Sequence, residues 1–577
     1  MPRRTSGAMH VVTTRRHYKD TVYETHLLRR TFREGGKVKN ETLANLSHLP
    51  PEALEAVQRV LHGEHLVADT DTFSITRSLR HGDAAAVLGM ARRLGFAELL
   101  GQPSAVRDVV LGLVCAQVLE PQSKAAYTSW FSDTTLGVDL GLVGRHTDAL
   151  YEAMDFLLGH KERIETALVS RHLGDGSFVC YDLSSSFVEG SHNELAAFGH
   201  SRDGKRGKRQ IEYGVIATTE GLPVAIEVFP GNTADPKSFM EIVETTKARF
   251  GLSRVVFVGD RGMITSARIG ALKDVGGFGW VTALRSTEIK ALVSNGAIQQ
   301  SLFDEVNLAE IAHPDYEGER LVACKNPFLA AERARKREAL LIATEDDLAK
   351  VAAAVSAGRL RDPGKIGLRA GRVLNRHKMA KHFEIEITDG HFSYSRKNEA
   401  IEAEAALDGI YVIRTSEDAE SLSPQAVVAT YKSLANIERD FRTMKSVDLH
   451  IRPIRHRLAD RVRSHAFICL LAAHLVWHLR KAWAPLTFRD EAPPERTDPV
   501  APAVRSASAS AKAAARRRRD GQELRPFQGL LDHLGTLTRN TCQVPGTTVT
   551  FERLAEPTET QRRSFELIDI PVPLRLV

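Results

Sequence analysis

The sequence predicts a mixed α/β sheet flanked by helices, with an insertion ahead of its last helix and a β/helical region in front. Three observations predict it. The strand-like runs FVCYDLSSSFVEG, IEYGVIATTEG, LPVAIEVFPGN and SRVVFVGDRGM end in Gly or Asn or turn at a Gly, and then alternate with helical patterns. A charged helical stretch and a hairpin signal interrupt that alternation over 286–405. GIYVIRTS then resumes strand character just before the amphipathic YKSLANIERDFRTMKS.

Taken in order, VVTTRRHY and VYETHLLRRTFREGGKVKNETLANL alternate, with Gly35 and Gly36 as a hairpin signal. Residues 1–50 therefore read as a basic β-rich element. Over 51–170, Leu and Ala recur at helical spacing, as in DAAAVLGMARRLGFAELL, which reads as a helical region. The core occupies 171–285 and 406–485: a three-strand meander, a helix capped by Asp235 and Pro236, then strands alternating with helices. The 286–405 insertion domain carries FLAAERARKREALL, DDLAKVAAAVSAGRL and the hairpin FEIEITDGHFSYSR, turning at Asp389 and Gly390. FICLLAAHLVW contains a histidine, is too short to span a bilayer and reads as a buried helix. The Pro/Ala/Ser-rich and then basic stretch over 486–525 predicts a disordered linker, and 526–577 a C-terminal tail.

A chain of 577 residues exceeds one core, so several domains are expected. With 43% hydrophobic and 26% charged residues it has the composition of a soluble globular protein. The net charge of +6 is modest, but it is unevenly spread. Residues 1–45 hold ten Lys/Arg against four Asp/Glu, and residues 438–463 hold eight against four. Basic islands in a balanced chain fit contact with a phosphate backbone. Five scattered cysteines without CxxC spacing exclude a zinc ribbon and a disulfide scaffold and suit a reducing cytoplasm. MPRRTSGAMHVV has no apolar segment of a secretion signal. The expectation is a cytoplasmic, nucleoid-associated protein that does not engage a membrane.

Three carboxylates carry the chemistry. Asp182 closes FVCYD, and Asp260 closes VVFVGD ahead of Arg261 and Gly262, at the strand ends where α/β sheets place their sites. Glu438 follows a further strand, seven residues from both Tyr431 and Lys445, so on one helix the three fall near a single line. Leu434, Ile437, Phe441 and Met444 form an apolar stripe beside it. Three carboxylates suit phosphoryl transfer with two Mg²⁺ ions, which prefer oxygen ligands; Mn²⁺ is a possible substitute. A basic surround then admits a polyanionic substrate.

These residues resemble the DDE transposases of bacterial insertion sequences, in the insertion-sequence-four superfamily. YDLSSSFVEG with FGHSRDGKRGKRQ resembles the first motif and VVFVGDRGMI the second. Tyr431, Glu438 and Lys445 match the Tyr-Arg-Glu-Lys signature, and IRPIRHRLADRVRSHAFICLLAAHL resembles the helix that follows it. The resemblance spans roughly residues 10–480 and implies a ribonuclease-H-like core, with an insertion before the glutamate-bearing helix. It implies that Asp182, Asp260 and Glu438 are catalytic and hold two Mg²⁺ ions. It further implies binding to double-stranded terminal inverted repeats, cleavage at the element ends and joining to target DNA. A homodimer in the DNA complex is expected, because two ends must meet.

The signature arginine falls at Leu434, so Arg439 or Arg442 becomes the expected phosphate contact. The DNA-binding candidates are Tyr431, Lys445, Arg442, Arg439, Arg261, Arg452 and Arg455. Of the arginines at 452, 455, 457, 461 and 463, at least two are expected on DNA and others on Asp448 or Asp460. Lys205, Arg206, Lys208 and Arg209 are open between phosphate contact and a solvated loop. Tyr431 is open between stacking on DNA and core packing. His456 and His465 read as structural, and Arg516–Arg519 as a non-specific electrostatic tail. The same metal site would serve a nuclease without strand transfer. An inactive DNA-binding regulator is the third reading, against which all three acids stand.

Overall fold

The computed structural model describes residues 7–19, 21–64, 73–233, 235–304, 306–496, 498–518 and 521–576. It divides into two compact units, 1–78 with 540–553, and 79–539 with 554–577.

In the first unit, β1 (Ala8–Tyr18), β2 (Thr21–Glu34) and β3 (Lys37–Asn45) form an antiparallel sheet in that order. Gly35 and Gly36 make the β2–β3 turn at φ of 59° and 79°, a left-handed pair that glycine adopts without a Cβ penalty. Much of the sheet surface is exposed, and cross-strand ion pairs decorate it: Arg15 with Glu24 at 2.6 Å and Arg30 with Glu41 at 2.6 Å. Such pairs contribute a few tenths of a kcal/mol each, about 0.2–1. α1 (Pro51–Leu61) follows, opened by Pro at its first turn. β4 (Ser74–Arg80) joins the strands Thr538–Gln543 and Thr550–Leu554 in a second three-stranded sheet.

The second unit opens with helices: α2 (Gly82–Arg93), α3 (Phe96–Leu100), α4 (Ala105–Leu119), α5 (Lys124–Trp130), α6 (Thr135–Asp139), α7 (Thr147–Gly159) and α8 (Lys161–His172). β5 (Ser177–Phe187), β6 (Gln210–Thr218) and β7 (Pro223–Pro230) then form an antiparallel meander. α9 (Asp235–Ala248) leads to β8 (Val255–Val258), and α10 (Ser266–Val275) to β9 (Phe278–Ala283). β8 runs parallel to β5, and β9 parallel to β8. The side chains of Asp235 and Pro236, the expected cap of α9, lie outside the described residues.

Residues 286–405 behave in two ways. After α11 (Ser286–Ser294), β10 (Leu308–Ile311) and β11 (Arg320–Lys325) extend the central sheet. The chain then departs through α12 (Pro327–Ser356), α13 (Pro363–His377), the hairpin β12 (Phe383–Thr388) and β13 (His391–Arg396), and α14 (Asn398–Ala405). The hairpin turns at Asp389 and Gly390, with Thr388 opposite His391. This excursion has its own core, including Leu341, Leu348, Ile366 and Phe383. It returns at β14 (Ile410–Thr415), where Ile410 is the register partner of Lys325 and Asn326 N–H donates to Gly409 O at 2.9 Å. The described sheet is eight-stranded, in the order β10-β11-β14-β9-β8-β5-β6-β7.

The expected single helix over Tyr431–Ser446 is instead three pieces. α15 (Pro424–Lys432) stops at Ser433, α16 (Leu434–Arg442) follows, and Thr443–Val447 forms a π-turn. A π-turn adds a residue to the repeat, so the seven-residue spacing no longer keeps Lys445 in line with Glu438. α17 (Ala459–Ala482) is long and apolar enough to cross a membrane, yet 83% of its most apolar window is buried in the protein. It packs against β7, α4 and α7, and each Leu or Phe it hides contributes about 2 kcal/mol.

The expected disordered linker over 486–525 differs in the described residues. They hold α18 (Ala507–Ala515), capped by Ser506 Oγ, which accepts from Ala509 N at 3.0 Å. Lys512 is buried, donating to Ala484 O at 3.0 Å and paired with Glu491. An alanine-rich run with a serine cap favours a helix, and Lys512 finds acceptors only in the fold. α19 (Phe527–Gly535) and α20 (Glu559–Leu567) complete the chain's helices among the described residues.

Candidate active site

β5 and β8 end their parallel pairing at Cys180 and Val258. Two residues further along each chain stand Asp182 and Asp260, and the two-residue repeat of a strand sends both to the same face. Asp182 does not close its strand as expected: β6 keeps pairing along β5 to Phe187, so Asp182 sits mid-strand opposite Val215. What ends there is the parallel neighbour, which leaves that edge of Asp182 open toward the turn after β8.

Each aspartate is held by backbone. Asp182 Oδ1 accepts from Leu183 N at 2.8 Å. Asp260 Oδ1 accepts from Gly262 N at 3.0 Å and Met263 N at 2.6 Å, the geometry of an Asx turn.

Glu438 is brought over these strands by the packing of α16. Ile437, Phe441 and Met444 are buried, and Phe441 meets Tyr213 of β6 edge-on at 5.9 Å. Asn436 Nδ2 donates to Thr219 O at 2.7 Å, in the turn between β6 and β7. A Cβ on Gly221, at φ 83°, would lie 2.8 Å from Asn436 Cβ, so the close seating of α16 needs glycine there. At the other end, Ser433 Oγ lies 3.4 Å from Cys180 Sγ, two residues from Asp182. Leu434, at the position of the signature arginine, packs against the core.

The three acids feel one another. Burial first, then the Asp260 and Glu438 carboxylates, push Asp182 up to about 7, against the Leu183 amide and the Arg202 guanidinium. Tyr431 is half-buried, and burial followed by the Asp260 carboxylate raises its hydroxyl to about 12, so it stays protonated. Among the described residues none of the three acids forms an ion pair. Their remaining oxygens are hard donors without a cation, a set that fits divalent Mg²⁺.

The predicted cations separate into two groups. Lys445 Nζ donates to Asp203 Oδ1 at 2.8 Å, and Arg452 lies 2.5 Å from the same oxygen, so both are tied inside the protein. Arg442 and Arg261 are exposed; Arg439 is exposed with a 3.3 Å bond to Asn436, and Arg455 lies 3.3 Å from Glu189. Arg463 pairs with Asp460 at 2.9 Å, whereas Asp448 is taken by Arg480 at 2.6 Å. Lys205, Arg206, Lys208 and Arg209 lie on the exposed β5–β6 loop, with Lys208 5.4 Å from the Phe187 ring. Arg516 caps α18 in a left-handed turn; Arg519 lies outside the described residues.

Two residues escaped the sequence reading. Arg202 donates to Leu183 O at 2.7 Å and offsets the charge at Asp182. Its neighbour Asp203, whose side chain is only 1% exposed, receives Lys445 and Arg452. Both stand within FGHSRDGKRGKRQ, but nothing local marks one charge of that run as internal.

Comparison with known proteins identifies the family. The family described as "Transposase DDE domain" matches residues 177–475, more than half of the chain. The "IS1634 family transposase, N-terminal domain" matches residues 11–71. No curated protein matches. Among solved structures, a piggyBac transposase synaptic complex with hairpin DNA, determined by electron cryomicroscopy, aligns at 9% identity and a TM-score of 0.34. The alignment covers 80% of this chain and 81% of that one. With all three carboxylates inside the first match and an insertion-sequence N-terminal match ahead of it, the chain belongs to the DDE transposases of bacterial insertion sequences.

Proposed function

We propose that this transposase binds the double-stranded terminal inverted repeats of its element, cleaves at the ends and joins them to target DNA. The observation that carries the proposal is the convergence of Asp182, Asp260 and Glu438 from β5, the turn after β8, and α16. The strand order β7-β6-β5-β8-β9, with β5, β8 and β9 parallel, supports a ribonuclease-H-like core. Asp182, Asp260 and Glu438 would hold two Mg²⁺ ions, for which Mn²⁺ can substitute. When bound, such ions supply Lewis-acid stabilisation of the attacking and leaving oxygens of phosphoryl transfer.

The chain's own residues do the rest. The backbone amides of Leu183, Gly262 and Met263 fix the orientation of the two aspartates. The protonated Tyr431 hydroxyl, beside Asp260 and Glu438, offers a donor to a phosphate oxygen. Arg442, Arg439, Arg261 and Arg455 reach solvent and meet the DNA backbone. Lys445 and Arg452 act through Asp203, which pins the β5–β6 loop to the chain after α16. The protein works in the cytoplasm on the nucleoid, as a homodimer once two ends are bound.

The test is a strand-transfer assay with the full chain, pre-cleaved element ends and Mg²⁺. Joined product is expected. Nicked ends without joined product would assign a nuclease instead, and binding without either would assign a regulator.

A further inference from the structure

α17 places His474 and His478 one turn apart on the same face, and α8 ends in His172 beside them. The rings cluster, with centroids 5.0 Å apart for His474 and His478, 5.5 Å for His172 and His474, and 6.4 Å for His172 and His478. One ring nitrogen from each lies within 4.8 Å of the others. We infer that His172, His474 and His478 form a transition-metal site, with Zn²⁺ as its occupant, that ties α8 to α17.

Three further observations support it. His474 Nδ1 donates to Pro223 O at 3.0 Å, which fixes the tautomer and leaves its Nε2 lone pair directed elsewhere. His478 Nε2 is buried and has no hydrogen-bond partner among the described residues. His172 is the last residue of α8, where the helix dipole favours a cation.

An imidazole set selects borderline metals such as Zn²⁺, Co²⁺ and Ni²⁺ over Mg²⁺. With nitrogens about 2.1 Å from the ion, three histidines leave the fourth tetrahedral position open. A cleft of about 570 Å³, lined by His172, His478, Glu220 and Lys481, lies beside the cluster. Water completes the shell. The nearby cations are themselves engaged: Arg171 donates to Leu94 O at 2.8 Å, and Lys481 lies 3.5 Å from Glu220. The cleft wall includes Ser177, five residues and about 16 Å along β5 from Asp182, so this site is separate from the three carboxylates.

The experiment uses the full chain carrying Asp182→Asn and Asp260→Asn, which removes the oxygen site from the background. After chelator treatment and dialysis, Co²⁺ and then Zn²⁺ are titrated. One equivalent is expected, with the intense visible bands of tetrahedral cobalt, bleached by Zn²⁺. His172→Gln and His478→Gln each weaken binding by about 100-fold or more, while circular dichroism stays unchanged. The half-exposed His172 keeps the test valid if changes on buried α17 prevent folding. Absence of the cobalt bands, or an affinity unchanged in His172→Gln, would overturn the inference.

Discussion

Lys445 donates to Asp203 at 2.8 Å, from a side chain 11% exposed onto one 1% exposed, and across 242 positions of sequence. Arg452 reaches the same carboxylate from a third segment. A buried acid shared by two cations binds the β5–β6 loop to the chain after α16. A residue that matches a DNA-contact signature is thus, in this structure, part of the scaffold.

Replacing Asp203 should therefore unsettle the fold. Asp203→Asn leaves Lys445 and Arg452 without their counter-charge and is expected to lower unfolding free energy by about 3 kcal/mol. Chemical denaturation measures it. Arg442→Ala, at an exposed position, should stay within about 0.5 kcal/mol.

DNA binding should show the opposite ranking. Arg442 is exposed and forms no ion pair among the described residues. Arg442→Ala is expected to weaken binding evenly across sequences and to reduce the slope of log affinity against log salt by about 1. An unchanged slope would remove Arg442 from the phosphate contacts.

The three acids should fail alike. Asp182→Asn, Asp260→Asn and Glu438→Gln are each expected to lower cleavage and joining by about 10³-fold, since metal stabilisation is worth several kcal/mol and each 1.36 kcal/mol is tenfold. Binding to end-sequence DNA, measured by gel shift, should persist. A variant with near-normal cleavage would remove that residue from the site.

Acid should weaken the fold through His456 and His465. Burial, then Lys124, holds His456 down at about 4 and His465 well below the usual range. Their rings lie 5.1 Å apart; Lys124 and Arg461 act on His456, with Tyr151 edge-on to it. Folded values below the unfolded value of about 6.5 mean the neutral forms are favoured. Their contribution is full above pH 6.5 and is lost as pH falls toward 4, by about 3 kcal/mol for His456. His456→Gln should flatten that decline in denaturation midpoints.

Much of this was legible beforehand. Asp182, Asp260 and Glu438 each follow a run whose period is clear, and their order along the chain carries the resemblance. The meander and the Asp389–Gly390 turn likewise depend on local chemistry. Other features were not legible, because their causes are distant or subtle. The π-turn at Thr443–Val447 leaves no mark on composition. Lys512 sits in a run that reads as solvated, and only the carbonyl of Ala484 and the acid of Glu491 explain its burial. Leu434 looked like a missing cation, whereas the core beneath α16 needs it apolar.

The excursion from Lys325 to Ile410 leaves and returns on one rung of the sheet, closed by the Asn326–Gly409 bond. Two adjacent antiparallel ends are what a two-residue turn also connects. Residues 326–409 are thus an insertion between two paired strands, with Leu407 at its end packed against the core beside Ile410 and Val412. A tight hairpin would join the same two ends without shifting the register of β11 or β14, so the pairing of the central sheet does not depend on the excursion.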